Sequence, residues 1–257
     1  MQELMEIAYN ETQCLDLRVA DRERSPLVVF IHGGGFFTGD KRGPRQAQII
    51  ERLEELEISW ASINYTLAKP EQRFGTWPRN FCDVADAFTF LGGNAPRFGY
   101  DMTRLGLMGF SAGCCLAGLY SFGGKRLLDT LGYESQWFQP KAFVGMYGPF
   151  DFETRQPHRR SGDPVIDQNI SPAYWLRQIK DPGSLPSVFH IQGDLDEVVI
   201  PAQHAEFEEA YVRAGGRFRG LLVPDFGHTF SPADTNDRGK SIDLRDDIVG
   251  FFTEHLG

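Results

Sequence analysis

Arg104-Leu105-Gly106-Leu107-Met108-Gly109-Phe110-Ser111-Ala112-Gly113-Cys114-Cys115-Leu116-Ala117-Gly118-Leu119-Tyr120 is the stretch that decides the fold. Residues 105–110 form an apolar run of strand length, and Cys114 to Tyr120 is apolar enough to run as a buried helix. Between them Ser111 stands on a turn whose flanking residues, Gly109 and Gly113, are small, so strand and helix can approach each other closely. A strand, a sharp turn and a buried helix make half of a βαβ unit.

The same alternation extends in both directions. Further strands are expected at 27–32, 60–65, 142–147, 188–192 and 218–223, each apolar enough to be covered on both faces. Segments 4–9 and 13–19 read as an antiparallel hairpin at the sheet edge. Helical faces are formed by Ile49, Ile50, Leu53 and Leu56, and by Phe81, Val84, Ala85, Phe88 and Leu91. A later helix starts near Pro201, carries Phe207 and Tyr211, and stops at Gly215-Gly216; the last runs from about Ser241. The pattern predicts an α/β fold: a mostly parallel twisted sheet with helices on both faces, antiparallel strands at the N-terminal edge, and little or no cap. One domain is expected over 1–257, with 149–171 as a long irregular stretch that walls the substrate site.

With 26 basic and 35 acidic residues the formal charge is −9, which disfavours nucleic acid and anionic lipid as partners. No apolar run is long enough to span a bilayer and no signal peptide is visible, so the chain reads as soluble and without a membrane partner. The four cysteines read as free thiols, which leans toward a cytoplasmic location. No Cys/His spacing suggests a metal, and no cofactor is expected. The oligomeric state is not legible.

The chemistry starts from Ser111. G-x-S-x-G between a strand and a helix presents a serine hydroxyl above the sheet, with the helix N–H groups aimed where negative charge develops. His32-Gly33-Gly34-Gly35-Phe36 follows another apolar strand, and successive glycines let backbone N–H groups turn toward a ligand. Gly34, Gly35 and Ala112 are the expected oxyanion donors. Phosphate binding would need a P-loop lysine or dinucleotide spacing, and neither is present.

His32-Gly33-Gly34-Gly35-Phe36-Phe37-Thr38-Gly39-Asp40-Lys41, then Asn64-Tyr65-Thr66-Leu67-Ala68, then Gly109-Phe110-Ser111-Ala112-Gly113 resembles the esterase branch of the α/β-hydrolases, nearest the small feruloyl-esterase-like and hormone-sensitive-lipase-like carboxylesterases. The resemblance covers roughly 25–255. It departs from the lipase-like pattern at Phe110 and Cys114, which bears on the acyl pocket.

The resemblance implies a triad in the order Ser, acid, His. Gly193-Asp194-Leu195-Asp196-Glu197-Val198-Val199 resembles the family's acid loop and places the acid at Asp196; Gly227-His228 resembles its histidine element. His228 would take the Ser111 proton, and Asp196 would fix the imidazole tautomer. Asp194 is a rival acid, whereas Asp225 reads as a turn residue. His32 is expected to organise its glycine loop; His190 lies in a strand, His204 on a helix, His255 at the chain end, and His158 in an irregular basic loop. Phe36, Phe37, Phe110 and Tyr147 are candidates for pocket lining, with the core as the alternative for each. Asp40-Lys41 reads as structural.

The leading expectation is a cofactor-independent serine carboxylesterase acting on small-molecule esters with small or aryl-acyl groups, including feruloyl or acetylated sugar esters. Kynurenine-formamidase-like amidase activity is the alternative on the same machinery. A peptidase reading is weaker because such enzymes usually carry a further domain. A non-catalytic binding protein is disfavoured by the complete Ser111, Asp196 and His228 set.

Overall fold

The structure, a computed structural model, describes residues 2–72, 74–154 and 159–257. Eight strands form its main sheet: β1 (Gln2–Ala8), β2 (Cys14–Val19), β3 (Ser25–Ile31), β4 (Ser59–Ile63), β5 (Tyr100–Phe110), β6 (Ala142–Met146), β7 (Ser187–Gly193) and β8 (Phe218–Val223). Their spatial order is β1-β2-β4-β3-β5-β6-β7-β8. The β1–β2 and β2–β4 pairs are antiparallel, and every pair from β4 to β8 is parallel. The expected edge hairpin and mostly parallel sheet are both present.

The two-residue period of a strand explains the two-sided core. Along β3, Leu27, Val29 and Ile31 join one apolar cluster with Phe81, Val84 and Phe88 of α2 (Arg79–Phe98). Val28 and Phe30 join the other, with Ile49 and Leu53 of α1 (Pro44–Glu55) and Ile248 and Phe252 of α8 (Arg245–Leu256). On the α2 side α3 (Ala112–Gly118) leads through a π turn at Leu119–Gly123 into α4 (Gly124–Thr130). Phe207 and Tyr211 of α7 (Pro201–Arg213) pack on the same side.

Three boundaries differ from expectation. Leu56 caps α1 instead of extending its buried face and is 47% exposed. The last helix begins at Arg245, because Ser241–Asp243 (β10) pairs antiparallel with Ala233–Thr235 (β9). The 149–171 stretch is not wholly irregular. It contains α5 (Pro164–Asn169), whose N-terminus is capped by Asp163 accepting the N–H of Val165 at 2.8 Å, and it leads into α6 (Pro172–Leu176). His158 lies outside the described residues.

The winding positions the site. From β3 the chain crosses to β4 on one side, then returns past β3 to β5 and proceeds the other way. The crevice at such a reversal, beyond the carboxyl ends of the strands, is where ligands bind in open parallel sheets. Ile31 is in register with Gly109, so the His32 loop and the Ser111 turn leave the sheet side by side.

Candidate active site

Ser111 occupies a strained turn, with φ 49° and ψ −115°. Its N–H donates to the Met146 carbonyl at 2.9 Å, and its own carbonyl accepts from Cys115 N–H at 3.2 Å. Only glycine fits at 113, where a Cβ would overlap the carbonyl oxygens of Ile31 and His32. Helix and strand therefore meet backbone to backbone, and the serine side chain projects past the end of β5.

The Ser111 Oγ lies 2.9 Å from His228 Nε2. His228 Nδ1 lies 2.7 Å from Asp196 Oδ2. Asp196 is fully buried as a side chain, yet both of its oxygens are satisfied. Oδ1 accepts the N–H groups of Val198 and Val199 at 2.8 and 2.9 Å, and Oδ2 also accepts Gln192 Nε2 at 2.7 Å. Burial of a carboxylate is tolerable when such donors surround it. Tyr147 closes the far side of the imidazole, its ring edge-on to His228 at 4.9 Å and its hydroxyl donating to the Phe230 carbonyl at 2.9 Å.

The glycine loop is fixed from beneath. Tyr65 Oη donates to the His32 carbonyl at 2.9 Å and its ring stacks on the His32 imidazole at 4.4 Å. His32 Nδ1 meets the Gly33 carbonyl at 2.7 Å, and burial holds the ring's pKa below its ordinary value. Gly34, at φ 119°, accepts N–H bonds from Phe37 and Thr38 at 3.1 and 3.0 Å, which closes the turn. Gly35 and Ala112 line a cavity of about 40 Å³ beside Ser111, together with Phe36, Phe74, Pro149, Phe152, Arg159, Val198 and Val199. The first N–H groups of a helix have no acceptor within it, so the Ala112 N–H is available to a ligand.

Asp194 does not reach His228; its Oδ1 accepts the Asp225 N–H at 2.7 Å. Asp225 pairs with Lys240 at 3.0 Å. Lys41 is buried against Glu6 and Asp16, and Asp40 accepts Asn64 Nδ2 at 3.0 Å, so both serve the edge of the sheet. All four cysteines are free thiols. Among the described residues, no group of three or more His, Cys, Asp or Glu side chains is placed to hold a metal ion, and no helix is long and apolar enough to cross a membrane.

The BD-FAE family model matches residues 15–211. The chain belongs to the BD-FAE family. Esterase LipQ of Mycobacterium tuberculosis is 25% identical to this BD-FAE chain over 90% of its residues and 56% of the relative's. A probable isoprenylcysteine alpha-carbonyl methylesterase of Arabidopsis thaliana, ICMEL2, is 26% identical over 87% and 56%. The chain thus spans about half the length of these curated relatives. Among solved structures, a truncated carbohydrate esterase from gut microbiota superposes with a TM-score of 0.77 at 21% identity, covering 100% of this chain and 96% of its own. An α/β-hydrolase enzyme from a deep-sea metagenome library, MGS-M1, gives 0.73 at 18% identity over 99% and 97%. The fold is that of the α/β-hydrolases.

Within this BD-FAE chain three of the four candidate pocket residues lie elsewhere. Phe110 is 2% exposed and packs in the core cluster with Phe30 and Met146, because strand alternation turns it away from the side that Ser111 faces. Tyr147, equally buried, backs the imidazole. Phe36 does line the cavity, whereas Phe37 packs over Gly35, where a Cβ would meet its ring at 2.6 Å. Phe74, Phe152 and Gln192 escape sequence reasoning. Phe74 and Phe152 sit in loops without periodicity, and Gln192 reads only as one more strand residue.

Proposed function

We propose that this chain is a serine carboxylesterase acting on small-molecule esters, with Ser111, His228 and Asp196 as its triad. The unbroken run from Ser111 Oγ to His228 Nε2 at 2.9 Å, and from His228 Nδ1 to Asp196 Oδ2 at 2.7 Å, carries this reading. The esterase names of the BD-FAE chain's relatives support it.

Ser111 Oγ attacks the acyl carbon while its proton passes to His228 Nε2. Charge then gathers on the carbonyl oxygen, and the N–H groups of Gly34, Gly35 and Ala112 stabilise it. Collapse expels the alcohol, which takes the proton from His228 and leaves an acyl-serine. Water, deprotonated by the same imidazole, releases the acid and restores Ser111. Asp196 keeps the proton on Nδ1, so Nε2 is the basic nitrogen, and stabilises the imidazolium that forms.

The test is Ser111→Ala against p-nitrophenyl acetate, with N-formylkynurenine assayed alongside for the wild type. The variant is expected to fold as the wild type and to lose on the order of 10⁴-fold or more in kcat. Turnover retained in the purified variant refutes the mechanism. Turnover of the formamide in preference to every ester refutes the choice of bond.

A further inference from the structure

Next to the cavity at Ser111 lies a second, smaller one of about 10 Å³, lined by Trp77, Asn80, Cys115, Leu116, Leu119 and Ile170. Phe36 and Phe74 border both. Phe74 also borders a third space, an outer groove of about 530 Å³ walled by Glu71, Arg160 and Ile166. Phe74 is therefore the side chain common to all three spaces, and it shares with Phe36 the wall between the first two. Its ring is held between Phe36 at 6.0 Å and, edge-on, Phe152 at 5.8 Å. Its carbonyl accepts the Trp77 N–H at 3.0 Å, which ties the loop to the start of α2.

We propose that Phe74 is the specificity-determining residue of this site and restricts the acyl group to acetyl or propionyl, excluding aryl-acyl esters such as feruloyl. The inference rests on the ester-hydrolase reading above. When an ester is attacked, its carbonyl oxygen faces the N–H groups of Gly35 and Ala112, and its leaving oxygen must stay within reach of His228 Nε2 to be protonated. The acyl chain takes the remaining direction, toward Phe36, Phe74 and Phe152.

The space there is small. A water molecule's share of liquid volume is about 30 Å³, and a cavity that accepts a benzene ring is on the order of 150 Å³. The 40 Å³ beside Ser111 matches a methyl or ethyl group and not an aromatic ring. Removal of the Phe74 ring would join the pocket to the second cavity and open it to the groove.

Initial rates on p-nitrophenyl acetate, butyrate, hexanoate and a feruloyl ester give kcat/KM for the wild type, Phe74→Ala and Phe74→Val. A misfit methylene costs on the order of tenfold in a shaped pocket. The wild type is therefore expected to favour acetate over butyrate by about tenfold or more and to leave the feruloyl ester nearly untouched. Phe74→Ala should raise the butyrate-to-acetate ratio about tenfold, and Phe74→Val should raise it less. A general loss of structure lowers all four rates together and does not reorder them, so the ratio reports the pocket.

A wild type that prefers butyrate or the feruloyl ester refutes the proposal without any variant. So does a ratio that stays within about twofold in both variants. A wild type that cleaves none of the esters refutes the ester-hydrolase reading, and the proposal falls with it.

Discussion

Replacing Asp196 by Asn tests the proposed mechanism where the geometry is most demanding. The Asp196 carboxylate accepts four hydrogen bonds, two at each oxygen. Asparagine is nearly the same shape but turns one acceptor into a donor. With its NH₂ at the Oδ1 position, it would face the Val198 and Val199 N–H groups at 2.8 and 2.9 Å, donor against donor. Neither backbone group can turn away.

With the NH₂ at the Oδ2 position it faces Gln192 Nε2 and His228 Nδ1, both at 2.7 Å. This arrangement costs less, because the imidazole can move its proton from Nδ1 to Nε2 and so become the acceptor. Ser111 Oγ, 2.9 Å from Nε2, then faces a donor in place of a base. The wrong tautomer in such a triad lowers kcat by about 10⁴, which at 1.36 kcal/mol per tenfold is about 5 kcal/mol of barrier. Stability should fall by only about 1–3 kcal/mol, the cost of one mismatched buried donor.

The assay is kcat/KM on p-nitrophenyl acetate beside a thermal melt, with Asp194→Asn as the control expected to stay near wild type. An Asp196→Asn enzyme within about tenfold of wild type would mean that the tautomer argument is wrong. Loss of activity in Asp194→Asn equal to that in Asp196→Asn would place the acid at the other carboxylate.

Two further outcomes follow from the same side of the molecule. Gln192→Met removes one donor from the Asp196 carboxylate while keeping the volume; it should lower kcat about tenfold with KM little changed, since a hydrogen bond to a charged group contributes about 1.5–3 kcal/mol, and an unchanged kcat refutes the positioning role. His190 and His204, Nδ1 to Nδ1 at 2.7 Å, both titrate below their ordinary value because burial disfavours the cations, each of which the unfolded chain forms near pH 6.5. Below that pH the unfolded state binds more protons, so stability holds above about pH 6.5 and falls with acidification by at most about 1.4 kcal/mol per pH unit per histidine. Chemical denaturation from pH 7.5 to 5 should show this slope, made shallower in His190→Gln; an equally steep profile in the variant refutes the assignment.

The segments around Ser111, Asp196, His228 and the glycine loop are legible in the sequence for a physical reason. The Ser111, Asp196 and glycine-loop segments each follow a buried strand, so glycine and polar residues stand out against an apolar run. His228 follows β8, which as an edge strand is not covered on both faces as expected and leaves Leu222 46% exposed. All parallel strands end at the same edge of the sheet. Chain order plus strand ends then suffices to bring the four together. Gln192 is hidden because its partner is chosen by the turn after Gly193, which brings the carboxylate back over the strand. Phe74 is hidden because a loop has no period to betray which way it faces. For Phe110 and Tyr147 a strand-end position leaves pocket and core equally open, and the structure places both in the core. The start of α5 is marked in the sequence: Asp163-Pro164 carries both a capping side chain and proline at the first helical position.

One arrangement joins the serine to the histidine through the sheet itself. Ser111 and Tyr147 are both non-glycine residues at positive φ, 49° and 43°, each just past its strand. Such backbone costs on the order of 1–3 kcal/mol and persists only where the surroundings over-determine it. Here the surroundings are an extension of the ladder. Ser111 N–H donates to Met146 O at 2.9 Å, and Tyr147 N–H donates to Ile191 O at 2.8 Å, so each strained residue is pinned by the next strand over. Because Phe110 is in register with Met146 and Met146 with Ile191, the two bonds are consecutive rungs across β5, β6 and β7. The first aims the serine hydroxyl. The second aims the Tyr147 ring, which supports the imidazole and holds the Phe230 carbonyl beyond it. The sheet ladder therefore braces both partners, Ser111 directly and His228 through the Tyr147 ring, while the Asp196 loop holds the imidazole from its other nitrogen.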